Sequence, residues 1–366
     1  MRSWDSIYLW DNSASAYVDL EFAAADLAGA ATSLIGQTTD KIYMGLDQKF
    51  DSAYFELDTL GTYNATPDYE YYDGSAWKNL PLIKTYAFDT NGVVRWRMPG
   101  DWATVLLTGA ESSNGGLKTG AAGDHTSGTV RYWVRVSCST VTVAATMTRS
   151  FPFPSYNYTT PTKIAAFLQL RQNFSTTTSP SIAEVEDIIR RIESRIERYS
   201  TNSWRPNYRH EELYEFSRFG FVLKRHPIIK LLELAIYDGS NFTVLSEGRS
   251  SDYYCDNATG VVPLTRLLSI PFTYTRNAYT WGFGEFKRAV RASYVWGRDE
   301  DSDVATGMVE DIATKLVSSD IISNYDYTTM VPQGTDRFSL DQKVQQWRES
   351  AEERLEEIRS TRLWVP

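Results

Sequence analysis

The stretch Thr129-Val130-Arg131-Tyr132-Trp133-Val134-Arg135-Val136-Ser137-Cys138-Ser139 alternates from end to end. Successive side chains of a strand point to opposite faces, so Val130, Tyr132, Val134, Val136 and Cys138 share one face. Arg131, Trp133, Arg135 and Ser137 share the other. The first face predicts a core and the second predicts solvent. Toward the N-terminus, shorter runs carry the same signal between turn residues: Asp68–Tyr72 before Asp73-Gly74, Phe88 leading to Asn91-Gly92, and Val93–Met98 running into Pro99-Gly100. These dipeptides are hairpin punctuation. The Gly/Ser/Thr-rich stretch Thr108–Gly128 is expected to be a mobile loop. Together these runs predict an antiparallel β-sandwich of ordinary domain size that ends near Phe151-Pro152-Phe153-Pro154.

Beyond Tyr158-Thr159-Thr160-Pro161 the period changes from two to between three and four. Lys163–Gln172 reads as a short helix. After the polar link Ser175–Ser179, Ser181–Tyr199 is the strongest helix of the chain. Its apolar residues Ile182, Val185, Ile189, Ile192, Ile196 and Tyr199 form a seam on one side, while Glu186/Arg190 and Asp187/Arg191 pair at i,i+4 on the other. Such a seam must pack against something. Two starts fit: Ser179 as cap with Pro180 first in the helix, or Ser181 with Glu184 as a capping box. Strands return over Glu211–Phe216, Gly220–Lys224, Leu231–Tyr237, Phe242–Leu245, Ser251–Cys255, Gly260–Leu264 and Ala289–Trp296. Asp303–Ser319 is a second long helix with an acidic first turn, and after Pro332-Gln333-Gly334, Ser339–Ser360 is a third. The expected fold class is multidomain α+β: residues 1–155 an accessory β-sandwich, 156–338 a helical core with a small inserted antiparallel sheet, and 339–366 a C-terminal helix and tail.

The 366 residues include 37 Lys+Arg against 46 Asp+Glu, a net charge of −9. That balance opposes coating DNA or an anionic membrane, since both demand a cationic surface. The two cysteines, Cys138 and Cys255, fall in different predicted domains, which argues against a disulfide framework or a thiol-rich metal site and for a reducing compartment. Met1-Arg2-Ser3-Trp4-Asp5 is not a basic region followed by an apolar run, and no stretch nears the about 18 apolar residues of a membrane span. Neither a cleavable signal nor a membrane helix is expected.

Catalytic motifs are thin. The three histidines, His125, His210 and His226, stand in a Gly-rich loop, between charges and before a proline, settings of solvated or structural residues. Asp299, Asp301 and Asp303 with Glu310 copy part of a calcium loop, yet the position of the sharp turn holds Val304 where glycine is needed, so an acidic helix cap competes with a cation site. Trp281-Gly282-Phe283-Gly284 lacks the third glycine of a dinucleotide loop. No cofactor, metal or enzyme activity is expected. Tyr69, Tyr71, Tyr72 and Trp77, with Trp96 and Trp102, fit either a sugar-stacking platform or the core of the sandwich.

The last helix presents Leu340, Val344, Trp347, Ala351, Leu355 and Ile358 as an apolar stripe, followed by Leu363 and Trp364 at the chain end. Such a stripe suits a partner groove or the helix's own domain equally, because both use the same face.

Residues from about Ser179 to Ser323 resemble the head-to-tail connector family of tailed bacteriophages, adaptors that form a ring beneath the portal. The resemblance lies in Ile196-Glu197-Arg198-Tyr199-Ser200-Thr201-Asn202-Ser203-Trp204 closing the opening helix, in Leu223-Lys224-Arg225-His226-Pro227-Ile228-Ile229, and in the Asp238-Gly239 hairpin with Asp252-Tyr253-Tyr254 and Thr259-Gly260-Val261-Val262. Arg291-Ala292-Ser293-Tyr294-Val295-Trp296-Gly297 before a helix completes it. The resemblance implies a virion structural protein at the neck, made in the host cytoplasm and assembled as a ring of twelve copies under the portal. It implies portal and tail or stopper proteins as partners and a channel through which double-stranded DNA passes without specific binding. It further implies that Leu340–Trp364 docks on the portal and that Ile182, Val185, Ile189, Ile192 and Ile196 serve ring or helix packing. The N-terminal β-domain departs from the minimal family pattern and resembles decorations or docking points for fibres. From a different class, a carbohydrate-binding baseplate or fibre-type protein would account for the aromatic β-domain.

Overall fold

Alternation and turn chemistry build the first part of the chain from strands, and the computed structural model describes residues 4–25, 30–63, 66–105, 130–200, 203–215, 220–237, 241–264, 288–298, 303–325 and 337–360. The chain divides into two units, Arg2–Ser155 and Tyr156–Pro366. Among the described residues the fold is mixed α+β, mostly strands in antiparallel sheets, with five helices.

The first unit holds β1 (Ser6–Asp11), β2 (Ala16–Asp19), helix α1 (Glu21–Ala24), β3 (Thr32–Ser33), β4 (Lys41–Leu46), β5 (Phe50–Thr59), β6 (Asp68–Tyr72) and β7 (Trp77–Asn79). It continues with β8 (Leu82–Lys84), β9 (Gly92–Trp96), β10 (Thr104–Val105), β11 (Arg131–Ser137) and β12 (Thr146–Pro154). One sheet runs β2-β1-β4-β11-β6-β7, with β10 beside β11, and the other runs β3-β12-β5-β9-β8. Both sheets send alternate side chains into one core, including Ile7, Met44, Val134 and Val136 from the first and Phe55, Val94 and Met147 from the second. Fully burying each such side chain is worth about 1.5–3 kcal/mol. The β6–β7 hairpin shows why Asp73-Gly74 punctuates it. Asp73 Oδ1 accepts from the Ser75 and Ala76 N–H groups at 2.7 Å each, and Gly74 takes φ +100°, a backbone state most side chains resist.

The second unit begins with α2 (Pro161–Phe167), which Thr160 caps by accepting from Lys163 N at 3.2 Å. The expected helix through Gln172 stops early because Gln169 takes φ +54°. Helix α3 spans Ile182–Ser200, and its start is the capping box: Ser181 N and Oγ both donate to Glu184 Oε2 at 2.8 Å. Strands β13 (Asn207–Tyr214), β14 (Phe221–Val222), β15 (Ile228–Tyr237), β16 (Phe242–Val244), β17 (Val261–Val262) and β18 (Val290–Trp296) follow. They form a sheet in the order β13-β18-β15-β16 and a separate β14-β17 pair, with a core of their own. The expected strand Ser251–Cys255 is reduced to bridges at Tyr253. Helix α4 runs Asp303–Asn324, longer than expected at its end, and α5 runs Arg337–Ser360. None of the helices among the described residues is long and apolar enough to cross a membrane.

Candidate functional site

Two places in the chain gather the residues the sequence singled out. The first is the α3–α4–α5 seam. Val185, Ile189, Ile192 and Ile196 of α3 are buried, with Ile182 half-buried beside them, in one cluster with Ile312, Leu316 and Val317 of α4 and Ala351, Leu355 and Ile358 of α5. Val344 is buried too, and the half-buried Trp347 ring lies 4.9 Å from the Phe167 ring of α2. Charged pairs flank the seam, Arg195 to Glu352 at 3.6 Å, Arg191 to Asp320 at 3.3 Å and Lys315 to Asp311 at 2.8 Å, with Arg354 also on Asp311.

Of the α5 stripe expected to dock on a portal, Val344, Ala351, Leu355 and Ile358 are buried within the second unit. Leu355 is 4% exposed and Ala351 fully buried against helices of the same chain, so their apolar area is already removed from water. A partner would gain nothing by covering them. Leu340 belongs to α5, and Leu363 and Trp364 lie outside the described residues.

Beside this seam sits a buried carboxylate. Glu193, 7% exposed, accepts from Asn157 N at 2.6 Å and from Tyr158 N, while Arg205 Nη1 donates to Asn157 Oδ1 at 2.7 Å. Burial pushes the carboxyl up to about 7, and the Arg205 charge and the two N–H donors offset only part of that rise. These bonds hold the Asn157–Tyr158 backbone against α3.

The second place is the face of the larger sheet that points away from its core. Cross-strand register sets Tyr8 opposite Tyr43, Tyr43 opposite Arg135, and Arg135 opposite Glu70, while Trp10 faces Tyr17 and Tyr72 faces Trp77. The rings touch in series. Trp10 to Tyr17 is 4.8 Å between centroids, Tyr17 to Tyr43 5.9 Å, Tyr43 to Trp77 5.9 Å and Trp77 to Tyr72 5.7 Å. All four contacts are tilted or edge-to-face, the geometry aromatic quadrupoles favour. The Arg135 guanidinium sits 4.5 Å over the Trp77 ring and clasps Glu70, with Nε and Nη2 at 2.7 and 2.6 Å from Oε2. Burial pushes the Tyr8 hydroxyl up to about 12.

Trp133, expected to face solvent, is buried here instead. It pairs with Gly45, where any Cβ would stand 2.6 Å from its ring, so the missing side chain is what lets the indole lie across β4. Its Nε1 donates to Val105 O at 3.0 Å. Of the six aromatics singled out as a platform, Tyr69, Tyr71, Trp96 and Trp102 belong to the buried core cluster of the first unit. Trp96 Nε1 donates to Phe50 O at 2.8 Å and Tyr69 OH to Tyr86 O at 2.9 Å. Tyr72 and Trp77 alone of the six lie on the outer face, half-buried. Tyr8, Trp10, Tyr17 and Tyr43 join them there and were missed, because β1, β2 and β4 were not among the expected strands. The signal was Ile7-Tyr8-Leu9-Trp10, which alternates aliphatic and aromatic, a strand with two different apolar faces.

Only part of the calcium-like set lies among the described residues. Glu310 pairs with Lys163 Nζ at 2.7 Å, Asp299 and Asp301 lie outside the described residues, and among the described residues no three His, Cys, Asp or Glu side chains gather to hold a metal. His125, Trp281–Gly284 and Thr108–Gly128 also lie outside the described residues. His210 Nδ1 is 3.1 Å from Tyr208 OH, with Nε2 3.9 Å from Glu211. Cys138 and Cys255 are both free and buried, and burial pushes each thiol up to about 12. No family model matches the chain, and no curated protein matches it.

Proposed function

We propose that the chain is a virion structural protein, a head–tail adaptor that forms a ring, of twelve copies by family resemblance, under the portal of a tailed bacteriophage. The observation that supports this reading is the order of elements in the second unit. A capped amphipathic helix, α3, leads into a small antiparallel sheet, and the chain returns as α4 and α5 to pack on α3. That order is the one the adaptor resemblance implies, and Gly297 at φ +118° ends β18 where the resembling Tyr294-Val295-Trp296-Gly297 run does. In this reading the two sheets of the first unit form a β-sandwich accessory domain, and the second unit is the helical adaptor core. It acts by binding and not by catalysis.

Self-burial of the α5 stripe moves the proposed contacts elsewhere. The stripe fixes the helix to its own unit, leaving the polar face of α5 and the segment carrying Leu363 and Trp364 as the portal-facing candidates. Neighbouring copies, a tail or stopper protein, and fibre proteins at the β-domain are the further partners of this proposal. A net charge of −9 suits a conduit, since a wall that repels phosphate lets DNA slide. The test is to mix the purified chain with portal rings and measure mass by analytical ultracentrifugation. The reading expects a stoichiometric ring-on-ring complex that resists moderate salt. Sedimentation of portal and chain as separate species at all ratios would oppose it.

A further inference from the structure

We propose that the outer aromatic face of the first unit is a carbohydrate-binding surface that takes a neutral oligosaccharide. This goes beyond the adaptor reading and does not depend on it. The starting observation is that this face has two parts. Tyr8, Trp10, Tyr43 and Trp133 are buried and act as a rigid base, while Tyr17, Tyr72 and Trp77 are half-buried, with the Arg135 guanidinium over one face of Trp77. Rings held by other rings lose little freedom when a ligand stacks on them.

The exposed area selects the kind of occupant. Aromatic side chains carry about 150–250 Å² each, so three rings that are each no more than about a third exposed offer on the order of 100–200 Å² together. A protein partner requires about 800 Å² on each side, several times what these rings expose, whereas the flat face of a sugar ring can stack on one or two aromatic rings. A single-stranded nucleic acid also stacks on aromatics, but it needs a cationic groove along its phosphates. On this strip Arg135 is taken up by Glu70, and Lys41 stands with Asp68 and Asp19, so among the described residues no run of unpaired cations tracks a phosphate backbone.

The polar groups fit sugar hydroxyls. Arg135 and Glu70 stand side by side in the middle of the strip and fix one another, presenting donors and an acceptor at set positions next to the Trp77 ring. Asn79 lies across from Glu70 on β7 and Lys41 across from Trp10 on β4. Because Arg135 compensates Glu70, the centre of the strip carries no net charge and favours a neutral glycan over an acidic one.

The experiment titrates the full chain with neutral hexasaccharides built on glucose, mannose, galactose or N-acetylglucosamine, and with a dodecameric oligothymidylate, by isothermal calorimetry. At least one hexasaccharide is expected to bind with a Kd of about 1 mM or tighter, and Trp77→Ala and Tyr17→Ala are each expected to weaken it about tenfold or more. Trp347→Ala, in the other unit, should leave it unchanged. Should Trp77→Ala fail to fold by circular dichroism, Trp77→Leu and Tyr17→Ala carry the test. The proposal is overturned by the absence of heat for every sugar at about 10 mM, by binding that survives both ring substitutions, or by binding of the oligonucleotide alone.

Discussion

Replacing Glu193 by glutamine should change how the stability of the chain depends on pH. The carboxyl ionises at about 7 in the folded chain against an ordinary 4.5, chiefly because it is buried. Arg205 and the Asn157 and Tyr158 N–H groups favour the charged form, and Glu197 opposes it. Between those two values the unfolded chain has released a proton that the folded chain keeps, so stability falls as pH rises. Below 4.5 the residue makes no such difference. Above about 7 the full interval applies, and at about 1.4 kcal/mol per tenfold change it comes to about 3 kcal/mol. The substituted amide has the same shape and keeps a carbonyl oxygen for the two N–H donors, but it does not titrate. Urea unfolding of both proteins, followed by far-UV circular dichroism from about pH 4.5 to about pH 8, measures the difference. The wild type should lose up to about 3 kcal/mol relative to Glu193→Gln across that range. Parallel curves would refute the reasoning, because a group that ionises without cost is not closed off from water in solution.

Leu355→Ala empties a site closed by α3 and α4, and should cost about 2–5 kcal/mol in the same urea assay. A loss of under about 1 kcal/mol would mean that α5 is not seated on its own unit. Gly45→Val drives a side chain into the Trp133 ring, and should cost about 1–3 kcal/mol and alter the near-UV circular dichroism of the tryptophans. An unchanged spectrum at wild-type stability would contradict the close approach described for β4 and β11.

The α3 seam was legible because period and caps agreed along its whole length, from the Ser181–Glu184 box to Ile196. The β11 strand was legible from the same kind of regularity in Val134, Val136 and Cys138, while Val130, read as core, is exposed ahead of the strand. What period alone leaves open is what covers a face. The α5 stripe reads the same whether a partner or its own unit covers it, and only the packing of Ala351 and Leu355 on α3 and α4 decides. Trp133 looked wet because its neighbours Arg131 and Arg135 are charged. Its burial depends on Gly45, a residue 88 positions away that the local pattern does not reach. The aromatic strip was hidden likewise, being assembled from six strands in cross-strand register while each strand gives this face only one or two rings.

The adaptor proposal stands or falls most directly on where the chain sits in a particle. Cryo-electron microscopy of the tailed virion that carries it should resolve a closed ring of this chain between portal and tail, with α3, α4 and α5 packed as described. Density for the chain at the baseplate, on a fibre or on the capsid surface, with a neck built from other proteins, would contradict the account.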